Sequence, residues 1–110
     1  MIANALTALA DPTRRHLFEL VAERPSPVGE LAGLLPVSRP AVSQHLKVLR
    51  QAGLVRESRV GTRHVYSLDS SGLDAVRAYF DSFWEQSLAA FKVAVELSSA
   101  SDQTTTKEAP

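Results

Sequence analysis

The chain contains no cysteine, which excludes disulfides and thiolate metal sites. It carries no net charge, with 12 lysines and arginines against 12 aspartates and glutamates, so the overall balance points to no partner. No apolar run approaches the roughly 18 residues of a membrane span. The first residues lack the charged and long apolar regions of a secretory signal, and a cytoplasmic location is the expectation. No Gly-rich phosphate loop, nucleophile elbow or paired acid motif organises the serines, histidines and carboxylates. Most serines fall at helix ends or in the C-terminal tail, where capping and solvation account for them. Neither a catalytic residue nor a cofactor is expected. At 110 residues one domain is expected, small enough for a dimer interface to help its stability.

What the chain does have is an uneven charge distribution. Between Pro36 and Tyr66 lie Arg39, Lys47, Arg50, Arg56, Arg59 and Arg63 against Glu57 alone. That segment is +5 and the remainder is −5. Clustered cations are the electrostatic footprint of phosphate binding.

The same segment contains a helix of distinctive pattern, residues 38–52. Ser38 suits an N-cap, and Pro40 falls in the first turn, where its missing N–H breaks no intrahelical bond. Val42, Leu46 and Leu49 make one narrow apolar stripe. Gln44 points away from it with Lys47 beside it, and Arg39, Ser43 and Arg50 line one flank. Gly53 supplies the left-handed residue a helix end favours. Such a helix can lie in a major groove.

Shorter helical patterns precede it. Ile2, Leu6 and Leu9 mark a first helix. Asp11-Pro12 starts a second through Leu17, Leu20 and Val21, which Pro25-Ser26-Pro27 stops. A third carries Val28, Leu31, Leu34 and Leu35, and Pro36-Val37 turns into the helix above, making a helix-turn-helix. The period then changes to that of two strands, 54–59 and 64–68, around Val60-Gly61-Thr62-Arg63. A hairpin there, wing 54–68, is the mark of a winged helix, with Arg59 and Arg63 near its tip. The fold class is therefore mostly α with a small β-hairpin wing.

A last helix is predicted from about Ser70 to Ser98. Leu73, Val76, Phe80, Phe83, Ala90, Ala94 and Leu97 share one heptad frame, broken at Ser87, and Trp84, Leu88, Phe91 and Val95 widen the stripe. A small domain has little core left to cover so much aromatic surface, so part of the stripe reads as an association face. Residues 1–98 form the expected domain, and polar residues 99–110 read as a disordered tail.

Asp11-Pro12-Thr13-Arg14-Arg15, Glu30-Leu31-Ala32, Ser38-Arg39-Pro40-Ala41-Val42-Ser43-Gln44-His45-Leu46, Ala52-Gly53-Leu54-Val55 and Gly61-Thr62-Arg63 together resemble the ArsR family of bacterial winged-helix repressors, over about residues 3–97. With its aromatic final helix, the chain looks most like the family's non-metal-sensing branch. The resemblance implies a homodimer joined through terminal helices, with the fourth helix in the major groove of double-stranded DNA. Where metal-sensing members carry a Cys-x-Cys pair, this chain has Ala32 and Leu34. The last helix has no histidine. His16 reads as surface, His45 as flanking the reader stripe and His64 as sitting at the wing base, and no metal site is expected. The effector is not readable.

The expected function is a homodimeric, sequence-specific repressor on a palindromic operator. Ser38 and Ser43 would hold phosphates, Gln44 and Arg39 would face base edges, and Lys47, Arg50, Arg59 and Arg63 would meet phosphates or the minor groove. Ile2, Leu6, Leu73, Val76, Phe80, Phe83, Trp84, Leu88 and Phe91 would form the dimer interface. A winged-helix module for protein–protein contact is the alternative of another class, and a repressor under small-molecule or metal control is a third.

Overall fold

A computed structural model describes residues 2–105 of the chain, with side chains through Ser99. The elements are α1 (Ile2–Ala10), α2 (Pro12–Glu23), β1 (Ser26–Pro27), α3 (Val28–Gly33), α4 (Arg39–Gln51), β2 (Val55–Val60), β3 (Arg63–Leu68) and α5 (Ser70–Thr105). The three strands form one antiparallel sheet in the order β1-β3-β2. The molecule divides after Arg77 into two compact units.

In the first unit, α1 and α2 are joined by reciprocal capping. The Asp11 carboxylate accepts the Arg14 amide proton at 3.0 Å and starts α2. The Arg14 and Arg15 guanidiniums reach back to the carbonyls of Thr7, Ala8 and Leu9. The last carbonyls of α1, which have no partner within their own helix, are thereby satisfied. The Asp-Pro-Thr-Arg-Arg run thus closes one helix as it opens the next.

Leu17, Val21, Leu31, Val42, Leu46, Leu49, Leu54 and Val55 are the large, fully buried side chains of the core. Burying each contributes about 1.5–3 kcal/mol. The third helix is shorter than its apolar spacing suggests. It ends at Gly33, Leu35 is buried beyond it, and Leu34 is exposed. The strand β1 was not foreseen. Ser26 pairs with Tyr66 and Pro27 with Val65, so the segment that stops α2 also adds an edge to the sheet. Edge strands tolerate proline because an unpaired N–H is no loss there.

The hairpin strands are each one residue longer toward the turn than expected. Val60 pairs with Arg63 across a two-residue loop, with Gly61 at φ +65°. Positive φ at the first loop position suits a type II′ turn and favours glycine. His64 consequently lies one pair from the turn, opposite Arg59, and not at the base of the wing.

At its C-terminus α4 closes in a Schellman motif. Gly53 sits at φ +75°, its N–H donates to the Arg50 carbonyl, and the Leu54 N–H donates to the Leu49 carbonyl. The Gly53 carbonyl then accepts the Gly72 amide at 2.8 Å, joining the first turn of α5 to the end of α4. Leu73 and Val76 follow on that turn, half-buried against the core.

In the second unit, α5 continues to Thr105, seven residues past the expected end at Ser98. Between Leu73 and Ala109 the chain has neither glycine nor proline to stop it. The remainder of the expected tail, 106–110, lies outside the described residues. The Tyr79 ring meets Phe80 and Phe83 edge-on, at centroid distances of 5.7 and 4.9 Å.

A Cβ at Gly72 would collide with the carbonyls of Gly53 and Ala52. Gly72→Ala is expected to lower stability by about 1–3 kcal/mol, as overpacking does, read as a shift in the urea midpoint with an unchanged slope.

Candidate nucleic-acid interface

Because α4 buries Val42, Leu46 and Leu49 along one edge, its other faces stand in solvent. Arg39, Ser43, Gln44, Lys47 and Arg50 are all exposed. The Ser38 hydroxyl oxygen accepts the Ala41 amide at 3.2 Å, which leaves its O–H able to donate outward. The wing brings further residues to the same side. Arg39 and Ser43 from α4, with Thr62, Arg63 and His64 from the wing, line one cleft of about 400 Å³. Pro27, Val28, Gly29, Glu57 and Tyr66 also line it. The cleft thus gathers three of the sequence-predicted residues. Gln44 and Lys47 face solvent outside it.

The third cation on α4, Arg50, is engaged differently from expectation. Arg50 donates to the Glu57 carboxylate at 3.1 Å, across from α4 to β2. The same carboxylate accepts the Tyr66 hydroxyl at 2.8 Å and approaches His64 Nδ1 at 3.2 Å. The other ring nitrogen of His64 lies 3.4 Å from the Arg59 guanidinium, a long contact. Glu57 was counted in the sequence only as a lone negative charge. Its pairing was legible once the turn is placed at Gly61-Thr62, since that register sets Glu57 opposite Tyr66. The pair with Arg50 is tertiary and left no local signal.

This cluster perturbs titration. The Tyr66 hydrogen bond, then the charges of His64 and Arg50, hold the Glu57 carboxyl below the usual range against the opposing effect of its burial. Burial foremost, and then the bond to Glu57, push the Tyr66 hydroxyl up to about 12.

Residues 11–57, from the cap of α2 into β2, match the family described as bacterial regulatory protein, arsR family. The HTH-type transcriptional regulator Rv2034 of Mycobacterium tuberculosis is 56% identical over 88 residues, which cover 80% of this chain and 82% of that protein. The chain belongs to the ArsR family. The transcriptional repressor SdpR of Bacillus subtilis is 34% identical over 64% of this chain and 78% of its own length. Among solved structures, a possible transcriptional regulator for arsenical resistance superposes with a TM-score of 0.67 at 43% identity, covering 79% of this chain and 95% of that one. This ArsR-family chain is accordingly a DNA-binding transcriptional regulator with a winged-helix fold, and its relatives are regulators, not enzymes. Among the described residues, no helix is long and apolar enough to cross a membrane.

The second set of expected site residues lies on α1 and α5. Ile2 and Leu6 are half-buried on α1, and Leu73 and Val76 contribute to the core of the first unit. Phe80, Phe83, Trp84, Leu88 and Phe91 are exposed, Trp84 at 67% and Phe91 at 66%. Tyr79, Val93, Val95 and Leu97 share that exposure.

The Tyr66–Glu57 bond is read by alkali. The folded Tyr66 hydroxyl titrates above its ordinary value of 10.0, so the neutral form favours folding. That contribution is complete below pH 10 and fades as the pH rises to about 12. Tyr66→Phe should therefore lower the Tm below pH 10, with the gap from the parent closing toward pH 12 in thermal scans.

Proposed function

We propose that this regulator is a homodimeric repressor that acts on DNA in the bacterial cytoplasm through α4 and the wing. The observation that carries the reading is the solvent-facing side of α4. It presents amide, hydroxyl and cationic groups opposite a fully buried stripe, next to a wing that brings Arg63 to the same cleft. Gln44 and Arg39 are assigned to base edges, since the amide suits adenine and the guanidinium suits guanine. Ser38, Ser43, Lys47, Arg50, Arg59 and Arg63 are assigned to phosphates or the minor groove. Repression is supported by the repressor SdpR among its relatives.

Dimerisation is supported by the aromatic surface of α5. A run of Phe80, Phe83, Trp84, Leu88 and Phe91 in solvent exceeds what a small soluble domain leaves bare. A two-fold dimer places two α4 helices in successive major grooves, so the operator is an imperfect palindrome with half-sites about one helical turn apart. Selecting bound duplexes from a random pool tests this reading. An enriched inverted repeat is expected, and the absence of any enriched sequence would overturn it.

Two substitutions separate the parts. Gln44→Ala should cost roughly 1–3 kcal/mol on the selected operator and almost nothing on scrambled duplex. Equal losses on both would remove Gln44 from base readout. Phe83→Glu would place two carboxylates in one apolar interface. It should yield a monomer near 11.9 kDa in sedimentation velocity and weaken operator binding at least about 100-fold, as loss of the second half-site requires.

A further inference from the structure

The segment 36–66 holds six cations and one carboxylate. Among the described residues, Arg50 is the only one of the six in an ion pair, and its partner is that carboxylate, Glu57. Glu57 is not a surface charge without neighbours. It lines the cleft between α4 and the wing, and its two oxygens are taken up by Arg50 from α4 and by Tyr66 and His64 from β3. A carboxylate on this face repels DNA, and only an opposing gain accounts for its place. The pair is half-exposed, with 46% of the Arg50 side chain and 26% of the Glu57 side chain accessible. Such pairs are weak, so a well-placed phosphate can displace the carboxylate, whereas a badly placed one cannot.

We infer that Glu57 is a specificity-determining residue that withholds Arg50 from the phosphates of non-cognate DNA and releases it in the cognate complex. The inference rests on the reading of α4 and the wing as the DNA interface. On random duplex, the protein lies out of register, Arg50 stays on Glu57 and one phosphate contact is forgone. On the operator, the base contacts of α4 fix the register, a phosphate arrives within reach of Arg50, and the guanidinium exchanges one anion for the other. The pair is broken only in the cognate complex, where the phosphate contact offsets the cost of breaking it, and on random duplex it stays closed. Discrimination therefore arises at a residue that touches no base. Tyr66 and His64 serve as positioning residues, because they hold the carboxylate in place as Arg50 leaves.

Glu57→Gln removes the charge and keeps an oxygen to accept the Tyr66 hydroxyl, so the wing should remain folded. The test measures log K against log salt for random duplex and for the selected operator, in the parent, Glu57→Gln, Arg50→Ala and the double variant. Glu57→Gln is expected to tighten random-duplex binding about 3- to 10-fold near 0.1 M salt and to steepen its slope by about 0.9, the increment for one phosphate on B-DNA. Operator binding should change less, so the specificity ratio falls several-fold. In the Arg50→Ala background, Glu57→Gln should no longer steepen the slope. If the steepening persists without Arg50, Glu57 acts as a general repulsive charge and the inference is overturned. Weaker binding to both duplexes with unchanged slopes would make Glu57 merely structural and overturn it too. Should the Gln variant unfold, Arg50→Ala alone still decides. It should flatten the slope on the operator by about 0.9 and leave that on random duplex unchanged, and equal flattening on both overturns the inference. A parent protein that binds no duplex would instead remove the proposed interface itself, a distinct result.

Discussion

Burial of one thin edge of α4 organises the polar and cationic surface of the first unit. Val42, Leu46 and Leu49 are wholly inaccessible, and the roughly 1.5–3 kcal/mol each contributes fixes the rotation of the helix about its axis. Arg39, Ser43, Gln44, Lys47 and Arg50 are then turned outward whatever their own preferences. A wider apolar stripe would have submerged the flank that carries Arg39 and Arg50. The narrowness of the stripe is what makes α4 both a core element and an exposed polar and cationic surface.

The ends of α4 connect that surface to the rest of the chain. At the start, Ser38 caps the helix through the Ala41 amide. At the end, Gly53 turns the chain into β2, and its carbonyl receives the first turn of α5. The wing strands hang from Leu54, Val55 and Tyr66, all buried in the same core. Glu57 adds a polar tie from β2 to Arg50 of α4. The helix α4, the wing and the root of α5 are thus placed by a short stretch of chain, Leu49–Leu73, in which Gly53 takes a positive φ and Gly72 permits close backbone approach.

Much of this was legible before any coordinates. The Asp11-Pro12 and Ser38 caps, the Val42/Leu46/Leu49 stripe and Gly53 are local signals, and each sits where its spacing placed it. The element order followed from them. What escaped was tertiary. The strand β1 is two residues long and pairs with β3 some forty positions away, and no two-residue segment announces itself by periodicity. The contacts of Arg14 and Arg15 to the carbonyls that end α1 span six residues and left no local signal. Leu34 fitted an apolar spacing yet lies in solvent, because α3 stops at Gly33. In the candidate interface, Arg39, Ser43 and Arg63 were each suspected from local pattern, and the structure gathers them in one cleft. The carboxylate beside them was not suspected, since a lone Glu in a basic stretch carries no motif.

Hydroxyl-radical footprinting of the selected operator, on both strands, tests the central claim most directly. The account predicts two protected patches related by a dyad, their centres about one helical turn apart, each with an adjacent stretch of minor-groove protection from the wing. A single asymmetric patch, or uniform weak protection along the duplex, would contradict it.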